Sequence, residues 1–287
     1  MKDYLIILAG SPRGGEETWN SMYKYVKEPL NADLAICCSD RWNQDTSLFK
    51  KANYVWTFKE MENYFTEYYE KNFDGTWMDY FNMGKDTGLY SSGSIHFVFK
   101  DIILRNYIEI LKKYKYIIYT RFDQYHTDVH PRIVSDEILI PEGEDYSGIC
   151  DRHAAFPSKY SRKFLGICEY ISNSESLSSS RSFINCESTF EDHLKKEELI
   201  GKVKRYKRSQ FTASLNGEHT NWRVAKYKIY FKQNLMMKYP TEFMQSISNK
   251  IDKYGFRSFF LLDKKLLLNY LYLRTRINLG KLKNLNS

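Results

Sequence analysis

Five side chains capable of chemistry crowd the end of one stretch, Tyr114–Pro131, read YKYIIYTRFDQYHTDVHP. They are Arg121, Asp123, His126, Asp128 and His130, and they follow the apolar, β-branched and aromatic run Tyr116–Thr120. That run is short enough to be a buried strand. A strand that ends in a cation, carboxylates and imidazoles is how open α/β sheets present chemistry to a ligand. Carboxylate and imidazole can hold a divalent ion, and arginine can grip phosphate as a planar fork. A strand followed by an ordinary polar loop is the alternative.

A second group lies in Pro141–His153, PEGEDYSGICDRH, where Glu142, Glu144, Asp145, Asp151, Arg152 and His153 surround two glycines. A carboxylate near an apolar strand end can act as a general base, its pKa raised by burial. A charged loop with an internal ion pair accounts for the same residues. The third group is Gly10-Ser11-Pro12-Arg13-Gly14-Gly15, followed by Glu16, Glu17 and Trp19 and preceded by the apolar Tyr4–Ala9. Strand, Gly-rich turn and helix make a phosphate cradle in many folds, although this spacing matches neither the P-loop nor the dinucleotide fingerprint. A tight turn is the other reading. Asp40 follows the apolar Asp33–Cys38, where it can accept a hydrogen bond from a base or ribose, or cap a turn. His219 and Arg223 sit beyond a later strand-like segment.

The elements that must position these residues follow from periodicity. Tyr4–Ala9, Asp33–Cys38, Tyr116–Thr120 and Ile138–Ile140 read as strands, and Lys202–Lys207 as a late one. Helices are expected near Met61–Asn72, from Ile95 to about Lys113 with Ser94 as N-cap, and over Phe156–Ile171. Another should open at a Ser188–Glu191 capping box. The Ser-rich Ser172–Ser182 reads as a mobile loop. The helix ending near Lys113 leads directly into Tyr116–Thr120, a second crossover unit.

With 287 residues, 43% hydrophobic and 27% charged, the chain has the composition of a globular protein of one large domain, or one with an appendage. No apolar run approaches the ~20 residues that span a bilayer. The opening apolar run is too short for a signal peptide and reads as a first strand. Five cysteines with no metal-finger spacing fit free thiols in a reducing cytoplasm. The net charge of +8 is unevenly placed, since 241–287 holds nine Lys or Arg against three acids. The nearly neutral remainder argues against nucleic acid as a partner. The organisation expected is a domain over 1–240 and a basic, apolar helical tail over 241–287. That tail is either an interfacial anchor on an acidic membrane, at its cytoplasmic face, or a packing element.

In order along the chain, GSPRGGEETW, ADLAICCSDRW, SGSIHFVFKDIILRN, YKYIIYTRFDQYH, IPEGEDYSGICDRH, NCESTFEDHL and QFTASLNGEHTNWR carry a resemblance. Together they resemble the nucleotide-sugar-dependent GT-A-type glycosyltransferase domain at the N-terminus of a large chlorella virus glycosyltransferase, and its bacterial relatives. The resemblance spans roughly residues 3–225, and its most specific segments are TRFD and GEDYSGICDRH. It implies an α/β, GT-A-like (Rossmann-like) mixed sheet flanked by helices. It also implies a donor, most readily a UDP-linked rhamnose or related hexose, with Mn²⁺ or Mg²⁺, and a glycan or glycolipid acceptor.

By position, the resemblance implies that Asp123 takes the metal and diphosphate role. The motif here is Asp-Gln-Tyr, lacking the second acid of the usual Asp-x-Asp. His219 stands as a further metal ligand. Gly10, Ser11, Arg13, Gly14, Asp40, Arg121, Arg152 and His153 become donor-binding residues. Asp151 becomes the base of an inverting transfer, with Glu144 and Asp145 as its rivals. SPRGGEETW also looks like the phosphate loop of sulfotransferases that use phosphoadenosine phosphosulfate, but no convincing Arg and Ser pair for the 3′-phosphate follows it. A non-catalytic membrane-surface module is the remaining alternative.

Overall fold

The computed structural model describes residues 2–42, 44–81, 92–173, 185–220, 226–229, 232 and 234–285. In chain order the strands are β1 (Tyr4–Ala9), β2 (Asp33–Ser39), β3 (Tyr54–Phe58), β4 (Tyr116–Thr120), β5 (Gln124–His126) and β6 (Ile138–Pro141). They continue with β7 (Ala154–Pro157), β8 (Val203–Tyr206), β9 (Gln210–Leu215), β10 (Tyr227–Lys228) and β11 (Leu235–Met237). The helices are α1 (Gly15–Met22), α2 (Ser47–Lys51), α3 (Thr66–Asn72), α4 (Trp77–Phe81), α5 (Gly93–Leu111) and α6 (Ser161–Leu165). After them come α7 (Ile167–Ile171), α8 (Cys186–Lys196), α9 (Pro240–Tyr254), α10 (Ser258–Leu261) and α11 (Lys264–Leu285). These elements form two compact units. The first comprises Met1–Pro12, Leu30–Phe122 and Pro131–Tyr206, and the second Arg13–Pro29, Asp123–His130 and Lys207–Ser287.

The first unit is α/β, with a seven-stranded mixed sheet in the order β3-β2-β1-β4-β7-β6-β8. β3, β2, β1 and β4 are parallel, β7 runs antiparallel to both its neighbours, and β6 pairs parallel with β8. β1 and β4 are buried along their whole length, as expected of central strands whose apolar runs are continuous rather than alternating. Leu5, Ile7 and Ala9 of β1 and Ile117 and Tyr119 of β4 join one core with Phe97, Val98 and Ile103 of α5. Phe156 of β7, Phe164 of α6 and Phe190 of α8 extend that core, and burying each aromatic ring contributes roughly 1.5–3 kcal/mol. All five cysteines are buried, and none of them forms a disulfide.

Several sequence expectations shift. Phe156 lies in β7, and helix begins only at Ser158, as a 3-10 turn that leads into α6 at Ser161, because the run AAFP pairs with β4 and tertiary pairing overrides a weak helical pattern. α8 starts at Cys186 rather than after Ser188. Asn185 is its cap, accepting from the Ser188 N–H at 2.7 Å, while Ser188 Oγ accepts from the Asn185 N–H at 3.2 Å. β3 was not anticipated, since YVWTF has only its central Trp56 buried. Most of Ser172–Ser182, and Arg223, lie outside the described residues.

The second unit carries an antiparallel sheet, β10-β11-β9-β5. Its core joins Tyr125, Phe211, Leu235 and Met237 to Phe243 and Ile247 of α9 and to Leu262, Leu266, Leu267 and Tyr270. Much of the apolar content of 241–287 is therefore packing within this unit. No helix among the described residues is long and apolar enough to cross a membrane.

Candidate functional site

In the first unit the strand registers bring the chemistry-bearing residues to one edge. Ala9 pairs with Cys37, Ser39 with Phe58 and Leu8 with Thr120, so Gly10, Asp40 and Arg121 follow the carboxyl ends of β1, β2 and β4. β7 runs the other way, and Ala154 pairs with Tyr119. That places Asp151, Arg152 and His153 at the same edge, where His153 Nδ1 lies 2.9 Å from Thr120 Oγ1. The end of β6 arrives there too, with the Glu142 N–H donating to Tyr206 O at 2.8 Å. The sheet order reverses at β1, which has β2 on one side and β4 on the other. This is the topological switch point at which open α/β sheets bind ligands.

Backbone geometry fits the same picture. Gly10 has φ 123° and donates its N–H to Cys37 O at 3.0 Å. Only glycine adopts that conformation freely, so the exit from β1 is fixed by residue type. Asp40 is exposed and its N–H donates to Phe58 O at 2.9 Å. Ser11 and Arg121 are half-buried.

The acid-rich segment folds into a buried charged cluster. Arg152, 7% exposed, has Nη2 2.9 Å from Glu144 Oε2 and 3.8 Å from Glu187 Oε1, and Nε 4.0 Å from Asp151 Oδ1. Burial works against the Arg152 charge, yet Glu144, Asp151 and Glu187 outweigh it and hold its pKa above the ordinary value. Burial, then the neighbouring Asp151, pushes Glu187 up to about 7, with Arg152 pulling the other way. Asp145 is occupied elsewhere, accepting from Arg205 Nη2 at 2.8 and 3.1 Å and from the Cys150 N–H at 3.2 Å.

Beneath the cluster Lys100 is wholly buried, and its Nζ donates to Asp151 O at 3.0 Å. That ammonium lies 4.1 Å from the Phe190 ring centroid, with Phe97 and Tyr119 at 5.2 and 5.4 Å. Aromatic faces partly offset its lost hydration, although burial still lowers its pKa. Asp151 itself is 4% exposed, and its Oδ2 has no hydrogen-bond partner among the described residues. Buried carboxylate oxygens are seldom left so, and Asp101 Oδ1 and Glu242 Oε1 share the feature among the described residues.

The loop over 142–149 packs against the start of α8 beside the cluster, with the Ile149 N–H donating to Glu187 O at 3.1 Å. Gly143, Glu144, Tyr146 and Ser147 all have positive φ. Gly148 presses so closely on α8 that an added Cβ would meet the Glu187 carbonyl carbon and oxygen at 2.2 Å.

The remaining expected site residues belong to the second unit. Gly14, in the left-handed conformation, is the N-cap of α1. Its N–H donates to both Glu218 oxygens at 3.2 and 3.1 Å, and the Leu215 N–H donates to Glu218 Oε2 at 2.9 Å. A protein carboxylate thus already sits where an anion would be drawn to this helix start. Burial raises the Glu218 pKa, backbone donors and Arg13 lower it, and Asp123 raises it again. Asp123 is 3% exposed and its carbonyl accepts from Ala213 N–H at 2.8 Å, whereas His219 is exposed. Among the described residues no group of three or more His, Cys, Asp or Glu could hold a metal ion. A metal here would draw most of its ligands from a bound ligand's oxygens and water, as Mg²⁺ commonly does.

Sequence reasoning missed Lys100, Glu187, Arg205 and Glu218. Lys100 carried a signal, being a lone cation inside the apolar run HFVFKDIIL. The others gave none, because their roles depend on pairing across the fold. No family model matches the chain, and no curated protein matches it.

Proposed function

We propose that the protein is a glycosyltransferase that moves a sugar, rhamnose or a related hexose, from a nucleoside diphosphate donor to a hydroxyl of a glycan or glycolipid. UDP is the favoured nucleotide and inversion the favoured outcome. The observation that carries this reading is the union at one switch-point edge of Gly10, Asp40 and Arg121 with the buried, incompletely hydrogen-bonded carboxylate of Asp151.

In the proposed reaction, Asp151 Oδ2 takes the proton of the acceptor hydroxyl. The hydroxyl oxygen attacks the anomeric carbon, and the bond from that carbon to the diphosphate breaks with its electron pair leaving on the diphosphate. Arg121 and the backbone around Gly10 and Ser11 neutralise the growing charge, and Asp40 holds base or ribose. Asp151 is preferred to its rivals because Glu144 is engaged by Arg152 and Asp145 by Arg205. Arg152 and His153 orient the sugar. Because Asp151 is nearly wholly buried, an acceptor reaches it only when neighbouring groups shift. Within the second unit, Asp123 and His219 are the residues that would hold Mn²⁺ or Mg²⁺, which would supply positive charge there.

Thermal stabilisation by a panel of nucleotide sugars, with and without Mn²⁺, tests the reading. A shift with one UDP-sugar and none with phosphoadenosine phosphate supports it. The reverse pattern would replace it with a sulfotransferase.

A further inference from the structure

The second unit ends in a surface that its own core does not use. Phe256, Phe259 and Phe260 cluster, with ring centroids 5.7 and 5.8 Å from Phe256, yet they remain 77%, 44% and 80% exposed. Monomeric proteins rarely leave grouped aromatic rings in water without a use for them. On α11 the same division repeats along one helix. Leu266, Leu267 and Tyr270 enter the core, while Leu268, Leu271 and Tyr272, at three- and four-residue spacing, are exposed. Lys264 and Lys265 precede them on the exposed side, and Arg257 and Arg274 are also exposed. The one acid between 255 and 276 is Asp263, already paired with Lys232 at 2.9 Å.

We infer that this surface docks on an anionic lipid bilayer. The aromatic cluster would enter the boundary between headgroups and acyl chains, and α11 would lie along it with its lysines among acidic headgroups. Charge selects this occupant over a second copy. A two-fold pairing through the same face would set the basic side chains of both copies against each other. No helix among the described residues can cross a membrane, so the attachment is interfacial. This inference does not depend on which reaction the first unit catalyses.

Co-sedimentation of the full chain with vesicles of phosphatidylcholine, alone or mixed equally with phosphatidylglycerol, tests it. Binding should require the anionic lipid and weaken with salt. In the double variant Phe256→Ser, Phe260→Ser it should fall by about tenfold or more at unchanged thermal stability. Absence of binding, or binding that the double variant leaves intact, overturns the inference. So does a dimer in sedimentation velocity that the double variant dissociates.

Discussion

Replacing Glu187 with Gln should change the pH dependence of stability in a calculable way. The side chain is 16% exposed, lies beside Arg152 and Asp151, and its pKa rises from 4.5 to about 7 in the fold. Between those two values the folded protein keeps a proton that the unfolded chain has released. Stability therefore falls as pH rises through this window, and above it the wild type carries the full cost of an ionised, half-desolvated carboxylate. A displacement of this size corresponds to about 3 kcal/mol, and partial solvation reduces it to about 2–3 kcal/mol. Glutamine keeps the shape and cannot ionise. Urea unfolding of both proteins at about pH 5 and about pH 8 isolates the effect. Relative to wild type, the Gln variant should gain about 2 kcal/mol between the two conditions. A difference that stays constant with pH would refute the buried-cluster reasoning.

Gly148→Ala should lose about 2–3 kcal/mol in urea melts, because its Cβ meets backbone at 2.2 Å. Gly201→Ala, with nothing among the described residues within 4 Å of the added Cβ, should be nearly neutral in the same assay. Arg152→Met should lose about 3–5 kcal/mol by stranding buried carboxylates, most severely above neutral pH where Glu187 is ionised. Asp123→Ala should abolish any Mn²⁺-dependent gain in UDP affinity measured by calorimetry. An undiminished metal effect would remove Asp123 from that role.

How far the sequence could be read depended on whether a signal was local. β1, β2 and β4 stood out because central parallel strands are continuous apolar runs, and α5 because its apolar residues recur with helical period. Placing Asp151, Arg152 and His153 at the same edge as Gly10 and Arg121 required β7 to run antiparallel beside β4, and nothing local in AAFP announces that pairing. Glu187 was invisible because its partners lie on another loop, brought to it by the close packing at Gly148 and by the Ile149 N–H donating to Glu187 O at 3.1 Å. The C-terminal segment was ambiguous for another reason. Its leucines and phenylalanines divide between core and surface, and periodicity alone does not say which face is covered.

The most direct test of the account is nucleoside diphosphate release from nucleotide sugars, with acceptor present, by wild type and by Asp151→Asn. Wild type should transfer from one donor, the variant should lose turnover, and both should retain donor binding. A variant that turns over at the wild-type rate would contradict it.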